Sequence, residues 1–179
     1  VFEDYRYMIY SMKENPNPQD LIISKLLPFP NKSKIIDAVD FKNPKVRNFA
    51  LAATSKHFKN VKKSGEIRTM IQCFAVFKEI RNNWNYVNDP KGSEYIADAS
   101  ESLQHFSGDC DDHAILMAAC IKAVGGTPRI IHTGGHLYPE MLIGTQKDLE
   151  TATYFIKEIL FSSASYNQQI HYHIDERGQ

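Results

Sequence analysis

The sequence predicts an α+β fold in which helices pack against a small antiparallel sheet. Apolar residues recur at helical spacing over the first two thirds of the chain. Two strand-like segments then flank a Gly-Gly turn, and a further helical pattern and a last strand-like segment follow. This order of elements is typical of helices that cover a small antiparallel sheet.

The chain has 179 residues, which is long enough for a single domain with a substantial hydrophobic core. Its formal net charge is zero, so the composition indicates no nucleic-acid partner. No run reaches the roughly 18–20 apolar residues that a membrane span needs, and no signal-peptide pattern is visible. Because the chain begins at Val1, we interpret it as an excised or processed part of a larger chain. The sequence leaves its compartment open.

Residues 1–60 are expected to form a helical extension that packs on a core at 61–179. Residues 1–14 have a short helical pattern, and four prolines then mark an irregular region. Asn43 followed by Pro44 predicts a helix start, and the apolar stripe after it predicts a helix over 44–58.

The next predicted helix begins near Ser64 and ends at about Asn82. Residues 83–108 then form a long connection rich in aromatic and turn residues. A connection of this length within one domain is usually functional or covers a site. Helical periodicity returns over 109–124 and stops at Gly125-Gly126.

Two strands, at 129–131 and 137–143, are predicted around Gly134-Gly135 as a hairpin. Thr145 and Asp148 resemble a capping box, which predicts a helix at about 146–161. This helical insertion could line or cover a cleft in the core. A final strand at 170–174 is predicted to end at Asp175.

The chain has three cysteines, and a small, odd number of cysteines does not indicate a disulfide framework. Cys73 and Cys120 fall inside predicted helices, where a small buried thiol is the ordinary interpretation. Cys110 instead lies in the first turn of its helix, where unpaired N–H groups and the helix dipole favour a thiolate. We therefore expect a lowered pKa for Cys110. Asp111 and Asp112 are expected to point sideways, away from the thiol.

A nucleophilic cysteine needs an imidazole that takes its proton and later protonates the leaving group. His136 begins the second hairpin strand, where it could meet the start of the cysteine helix. Tyr138 and Glu140 would share its face of the strand. His132, on the preceding strand, is the rival candidate.

These motifs resemble the transglutaminase-like superfamily, including the bacterial transglutaminase-like cysteine peptidases. With x for any residue, the resemblance rests on Gly108-Asp109-Cys110-Asp111-Asp112-x-Ala114, on Gly125-Gly126-x-Pro128-Arg129 and on His136-x-Tyr138-x-Glu140. It covers about residues 77–144.

The resemblance implies a papain-like, transglutaminase-like fold, with Cys110 as the nucleophile and His136 as the base. Tyr138 and Glu140 would be supporting residues. An Asp at the end of the next strand would orient the imidazole. Asp175 is the candidate for that acid, and a residue beyond Gln179 is the alternative.

The predicted function is a thiol-dependent amide hydrolase or acyltransferase: a peptidase, an amidase or a transglutaminase-like enzyme. Its substrate would be a peptide, a protein or another amide, and it would need no cofactor. The Cys110 backbone N–H and a group between Trp84 and Tyr95 are candidate oxyanion donors. The alternative is a catalytically impaired interaction module of a larger protein.

A metal site is the least favoured hypothesis, and no metal ligands are predicted. His171 and His173 share a strand face but lack a third ligand. The aspartates around Cys110 are expected to stabilise the helix start instead.

Overall fold

The computed structural model describes residue 29 and residues 31–58, 66–133 and 135–160. Several sequence predictions lie outside these residues: the helix over 1–14, the cap at Ser64, the strand at 170–174, and Asp175. The proposed division at residue 60 stays a prediction.

Six α-helices form within the described part of the chain. They are α1 (Lys32–Ala38), α2 (Pro44–Phe58), α3 (Glu66–Asn83), α4 (Ala99–His105), α5 (Cys110–Ala123) and α6 (Gln146–Tyr154). The last continues as a π-helical segment, Phe155–Leu160. The structure therefore confirms the helices predicted over 44–58, up to about Asn82, over 109–124 and over 146–161.

The strands form two small sheets. β1 (Asn85–Tyr86) pairs in parallel with β2 (Ser107–Gly108). β3 (Pro128–Thr133) pairs antiparallel with β4 (His136–Met141). The predicted hairpin is therefore confirmed, and its register sets Thr133 opposite His136.

The start of α2 follows the predicted capping chemistry. The side-chain Oδ1 of Asn43 accepts a hydrogen bond from the backbone N–H of Lys45 at 3.0 Å. Pro44 takes the first helical position, where its missing N–H has no intrahelical partner to lose. This local chemistry fixes the beginning of the helix.

The end of α5 is a Schellman motif. The N–H of Gly126 donates to the carbonyl of Ile121 at 2.9 Å, and the N–H of Gly125 donates to that of Lys122 at 3.1 Å. Gly125 has φ +89°, a conformation that costs a glycine little. The Gly-Gly pair thus ends the helix and turns the chain towards β3.

Helix α5 is the centre of the molecule, because every residue from Asp111 to Ile121 except His113 is buried. The main hydrophobic cluster joins α5 to α1, α2, α3 and α4, and β3 and β4 pack against it. A cysteine-bearing helix thus packs on a small antiparallel sheet beneath additional N-terminal helices. This arrangement confirms the α+β class.

A second hydrophobic cluster holds the helical insertion in place. Ala152 and Phe155 pack with Phe58 of α2 and with Met70 and Phe74 of α3. The insertion therefore packs on these two helices.

The connection at 83–108 is more ordered than the sequence indicates. It contains α4 and the short strands β1 and β2. α4 ends at His105, and the next residue, Phe106, has φ +48° and donates its N–H to the carbonyl of Ser102. None of the helices in the described ranges is long and apolar enough to cross a membrane.

Candidate active site

The first turn of α5 carries the candidate nucleophile. Asp109 is the N-cap, and its side chain accepts a 3.1 Å hydrogen bond from the N–H of Asp111. Cys110 follows as the first helical residue and is partly exposed. Among the described cysteines it is the accessible one, since Cys73 and Cys120 are buried.

The approach to this turn needs a glycine. Gly108 has φ +154°, and a Cβ at this position would overlap the Asp112 carboxylate. Gly108 therefore lets the chain pass close to the first turn of the helix.

The pKa of Cys110 is raised above its ordinary value, contrary to the expectation from its position on the helix. Burial is the main cause, and the carboxylates of Asp109 and Asp111 act in the same direction. The backbone N–H groups of Leu137 and of Cys110 itself are close enough to the sulfur to favour the thiolate, but they do not outweigh burial. The resting thiol is therefore protonated near neutral pH.

The helix that carries Cys110 packs against β4, and the backbone N–H of Leu137 at the beginning of that strand is close to the sulfur. Leu137 directly follows His136, so the predicted base lies one residue from the backbone group that contacts the thiol. The His136 ring is stacked near that of Tyr138, with 6.3 Å between ring centroids. The thiol and the histidine-bearing strand thus come together at the N-terminal end of α5.

His113 is a site-proximal residue that the sequence analysis passed over. Its ring lies edge-on to Trp84, with centroids 5.2 Å apart. Burial, helped by the charge of nearby His136, lowers the pKa of His113 to about 4, so this imidazole is neutral at physiological pH. His113 follows Cys110 by three residues, so the two side chains are neighbours on the helix surface. This spacing is the sequence signal that could have placed His113 near the site.

Trp84 precedes β1 and carries an unusual polar group. Its indole Nε1 is buried, and it has no hydrogen-bond partner among the described residues. Buried hydrogen-bond donors are normally paired, so an unpaired donor is a candidate to bind a ligand or a reaction intermediate. Its partner ring, His113, lies one helical turn from Cys110.

Asp111 and Asp112 are buried, and each is only 4% exposed. Oδ1 of Asp111 accepts the N–H of Asp112 at 3.0 Å, and Oδ1 of Asp112 accepts the N–H of Ala97 at 2.9 Å. These bonds to backbone donors explain why polar side chains are buried here.

Burial raises the pKa of Asp111 to about 8, assisted by its contact with Asp109. Burial likewise raises the pKa of Asp112. The oxygens of these three carboxylates lie within 4.8 Å of one another, so they are the described residues that could offer oxygen ligands to a hard cation.

Glu140 pairs across the hairpin with Arg129. The two residues are opposite each other in the register, and their closest N and O atoms are 2.6 Å apart. Tyr138 is partly buried, and burial raises its pKa. The rival histidine, His132, has its ring beside that of Phe29, with centroids 5.4 Å apart.

A family model of the transglutaminase-like superfamily matches residues 60–149, which is half of the chain. The chain belongs to the transglutaminase-like superfamily. Neither the curated proteins nor the solved structures gave a match. The matched range of this transglutaminase-like chain contains α3, α5 and the hairpin, and therefore both Cys110 and His136.

Membership of the superfamily supports a cysteine-based hydrolase or acyltransferase function in general. It confirms the resemblance drawn from the three motifs and the transglutaminase-like interpretation of the fold.

Proposed function

We propose that this transglutaminase-like domain is a cysteine-dependent amide hydrolase of the peptidase or amidase kind. Cys110 is the nucleophile and His136 is the general base. The single observation that carries the proposal is the packing of the helix that begins at Cys110 against the strand that begins at His136. It brings the thiol at the helix terminus to the strand residue next to the imidazole.

The reaction begins with proton transfer from the Cys110 thiol to His136 as the sulfur attacks the substrate carbonyl carbon. The C–N bond then breaks, and His136 gives its proton to the departing amine. A thioester remains on Cys110, and water releases the acid while an amine would give transamidation. Because the pKa of the thiol is raised, we expect deprotonation to accompany attack rather than to precede it.

The negative charge that develops on the carbonyl oxygen needs fixed donors. The N–H of Cys110 is a suitable donor, since the first N–H groups of a helix have no intrahelical partner. The indole N–H of Trp84 is the second, because it is buried and has no described acceptor. Trp84 is also held by packing on His113, which fixes the direction of its ring.

Supporting roles follow for the other predicted residues. The stacked ring of Tyr138 limits the rotation of the His136 imidazole. Glu140 acts through its ion pair with Arg129, which holds the histidine strand in register. We retain Asp175 as the proposed acid of the triad.

Alkylation by iodoacetamide, followed by mass spectrometry, tests the nucleophile and the base. We expect Cys110 to be modified well before Cys73 and Cys120, whose pKa values burial raises to about 12. His136→Ala should slow modification of Cys110, whereas the matched variant His132→Ala should not. The reverse result would transfer the role of base to His132.

Catalysis is tested by incubation with fluorogenic amide peptides and with a glutamine peptide plus a dansylated amine. We expect a thioester adduct on Cys110 by mass spectrometry, and none in Cys110→Ala. His136→Ala should lower kcat/KM by about 10²–10⁴-fold. Failure of wild-type protein to acylate would favour the interaction-module alternative.

Trp84→Phe tests the oxyanion donor, because Phe keeps an aromatic ring beside His113 but lacks the N–H. We expect kcat to fall by about 10²-fold while KM changes little. An unchanged kcat in a folded variant would remove Trp84 from the mechanism.

A further inference from the structure

The segment at 87–98, hereafter the strap, is fixed at both ends to the start of α5. At one end the N–H of Val87 donates to the carbonyl of Gly108 at 2.9 Å. At the other end the N–H of Ala97 donates to Oδ1 of Asp112 at 2.9 Å. Since Cys110 lies between Gly108 and Asp112, the strap runs beside the candidate nucleophile.

The middle of the strap is also held in shape. The backbone N–H of Tyr95 donates to the carboxylate of Asp89. The Tyr95 hydroxyl donates to the carboxylate of Glu101, with oxygen distances of 2.8 and 2.9 Å. These bonds fix the conformation of the strap.

Apolar and aromatic side chains are exposed on and beside the strap. Tyr86, Val87 and Tyr95 are 43%, 54% and 52% exposed. Tyr86 is opposite Gly108 in the β1–β2 register, two residues before Cys110. Exposed large apolar side chains close to a reactive residue are typical of a binding surface.

The same region is strongly acidic, although the chain as a whole has no net charge. Residues 85–109 contain five Asp or Glu residues and one Lys, with no Arg. Glu94 and Asp98 are exposed, and Asp89, Glu101 and Asp109 are partly exposed. A cation that approaches Cys110 over the strap therefore meets an attractive field.

We propose that the strap binds a polypeptide substrate segment in which lysine or arginine adjoins an apolar side chain. The carboxylates of the strap attract the cationic head, and the apolar part of the segment packs on exposed side chains of the strap such as Val87. The inference rests on the proposed function, since it places the substrate amide at Cys110. It adds a preferred substrate class.

The bound cation would also act on the nucleophile. Asp109 and Asp111 oppose ionisation of Cys110, and a positive charge nearby offsets them. A cationic segment would therefore promote thiolate formation in its own complex. An anionic segment would do the reverse.

Binding is tested in the Cys110→Ala protein, so that the result does not depend on turnover. Fluorescence anisotropy compares a labelled peptide containing Lys and Phe with one in which Glu replaces each Lys. We expect at least tenfold tighter binding of the cationic peptide, weakening with added salt. Equal affinity for the two peptides would overturn the proposal.

The double variant Glu94→Gln, Asp98→Asn identifies the surface. The matched control is Glu150→Gln, Glu158→Gln, which removes two exposed charges from the insertion. We expect the strap variant to lose about tenfold in affinity for the cationic peptide and the control to lose none. Equal losses of affinity in the two variants would mean that the effect comes from the overall charge of the protein, and this result would refute a strap site.

Val87→Ser tests the apolar part and leaves the backbone bond to Gly108 available. We expect a loss of several-fold in affinity for the Lys-Phe peptide, and no loss for a peptide with Lys and Ser. If wild-type protein binds the cationic peptide but forms no acyl-enzyme, the proposed function fails and the docking proposal survives. Acylation without charge preference would refute the docking proposal and leave the proposed function standing.

Discussion

The backbone N–H of Ala97 donates a 2.9 Å hydrogen bond to Oδ1 of Asp112, and both residues are buried. This bond joins the end of the strap to the third residue of the cysteine helix. It connects two segments that lie 15 residues apart in sequence. One end of the strap is therefore held beside Cys110 by a single side chain.

Asp112→Ala is expected to destabilise the protein by about 1–3 kcal/mol, because the Ala97 N–H would be left buried without an acceptor. Asp112→Asn keeps an acceptor oxygen and should lose less than about 1 kcal/mol. Urea denaturation of both variants measures the difference. An Asp112→Ala protein as stable as the wild type would show that the bond contributes nothing.

Asp109→Asn is expected to increase the reactivity of Cys110. Asn is as good an N-cap as Asp, so the helix start is kept while a negative charge beside the thiol is removed. The pKa of Cys110 should fall, because Asp109 is one of the groups that raise it. The alkylation rate at pH 8 should rise several-fold relative to wild type. A slower rate with an intact fold would contradict this role of Asp109.

Asp111→Asn is expected to stabilise the protein in alkaline solution. The folded protein raises the pKa of Asp111 from 3.8 to about 8, so it holds the proton more tightly than the unfolded chain. The stabilisation by protonated Asp111 is fully present below about pH 4, and it is lost as the pH rises through 8. Asn imitates the protonated acid, and the gain should reach about 1 kcal/mol or more at pH 9.

Thermal melting of wild type and Asp111→Asn from pH 4 to pH 9 checks this prediction. The two melting temperatures should converge at low pH and separate as the pH rises. A constant difference over the range would mean that the carboxyl group does not titrate as proposed.

Glu79→Gln is expected to loosen the contact between α2 and α3. Glu79 Oε2 is 2.6 Å from His57 Nε2, and Glu79 Oε1 is 2.8 Å from Lys56 Nζ. Burial opposes ionisation of Glu79, but the hydrogen bonds and charges of its two partners outweigh burial and lower its pKa below 4.5. We expect a loss of about 1 kcal/mol at pH 7.

The pH dependence gives a sharper test of Glu79. A lowered folded pKa means that the contribution is present above about pH 4.5 and is lost as the pH falls through the folded value. The difference in melting temperature between wild type and Glu79→Gln should therefore shrink in acid. Glu150→Gln, an exposed charge on the insertion, serves as the control and should change little. A gap that widened in acid would contradict the assignment.

Sequence patterns predicted the long elements well, because their causes are local. Pro44 and the Gly125-Gly126 pair mark helix ends through their own backbone preferences. The hairpin follows from two strand-forming segments on either side of a glycine turn. Helix α4 was missed because seven residues carry less than two full turns of periodicity.

The site was predictable in its parts but not in its electrostatics. The sequence placed Cys110 in the first turn of a helix and His136 at the start of a strand, and the structure confirms both placements, whereas their catalytic roles stay a prediction. The direction of the thiol pKa was wrong, because burial by β4 depends on tertiary packing that a single helix does not reveal. The burial of Asp111 and Asp112 was not predicted for the same reason, since their backbone partners become known only with the fold.

Helix α3 contributes side chains to both hydrophobic clusters. Cys73, Val76 and Ile80 belong to the main one, whereas Met70 and Phe74 belong to the one beneath the insertion. Fraying of the insertion would expose one side of α3, and the other side of α3 packs in the cluster that supports α5. The two clusters are thus thermodynamically linked, and the domain should melt in a single cooperative transition.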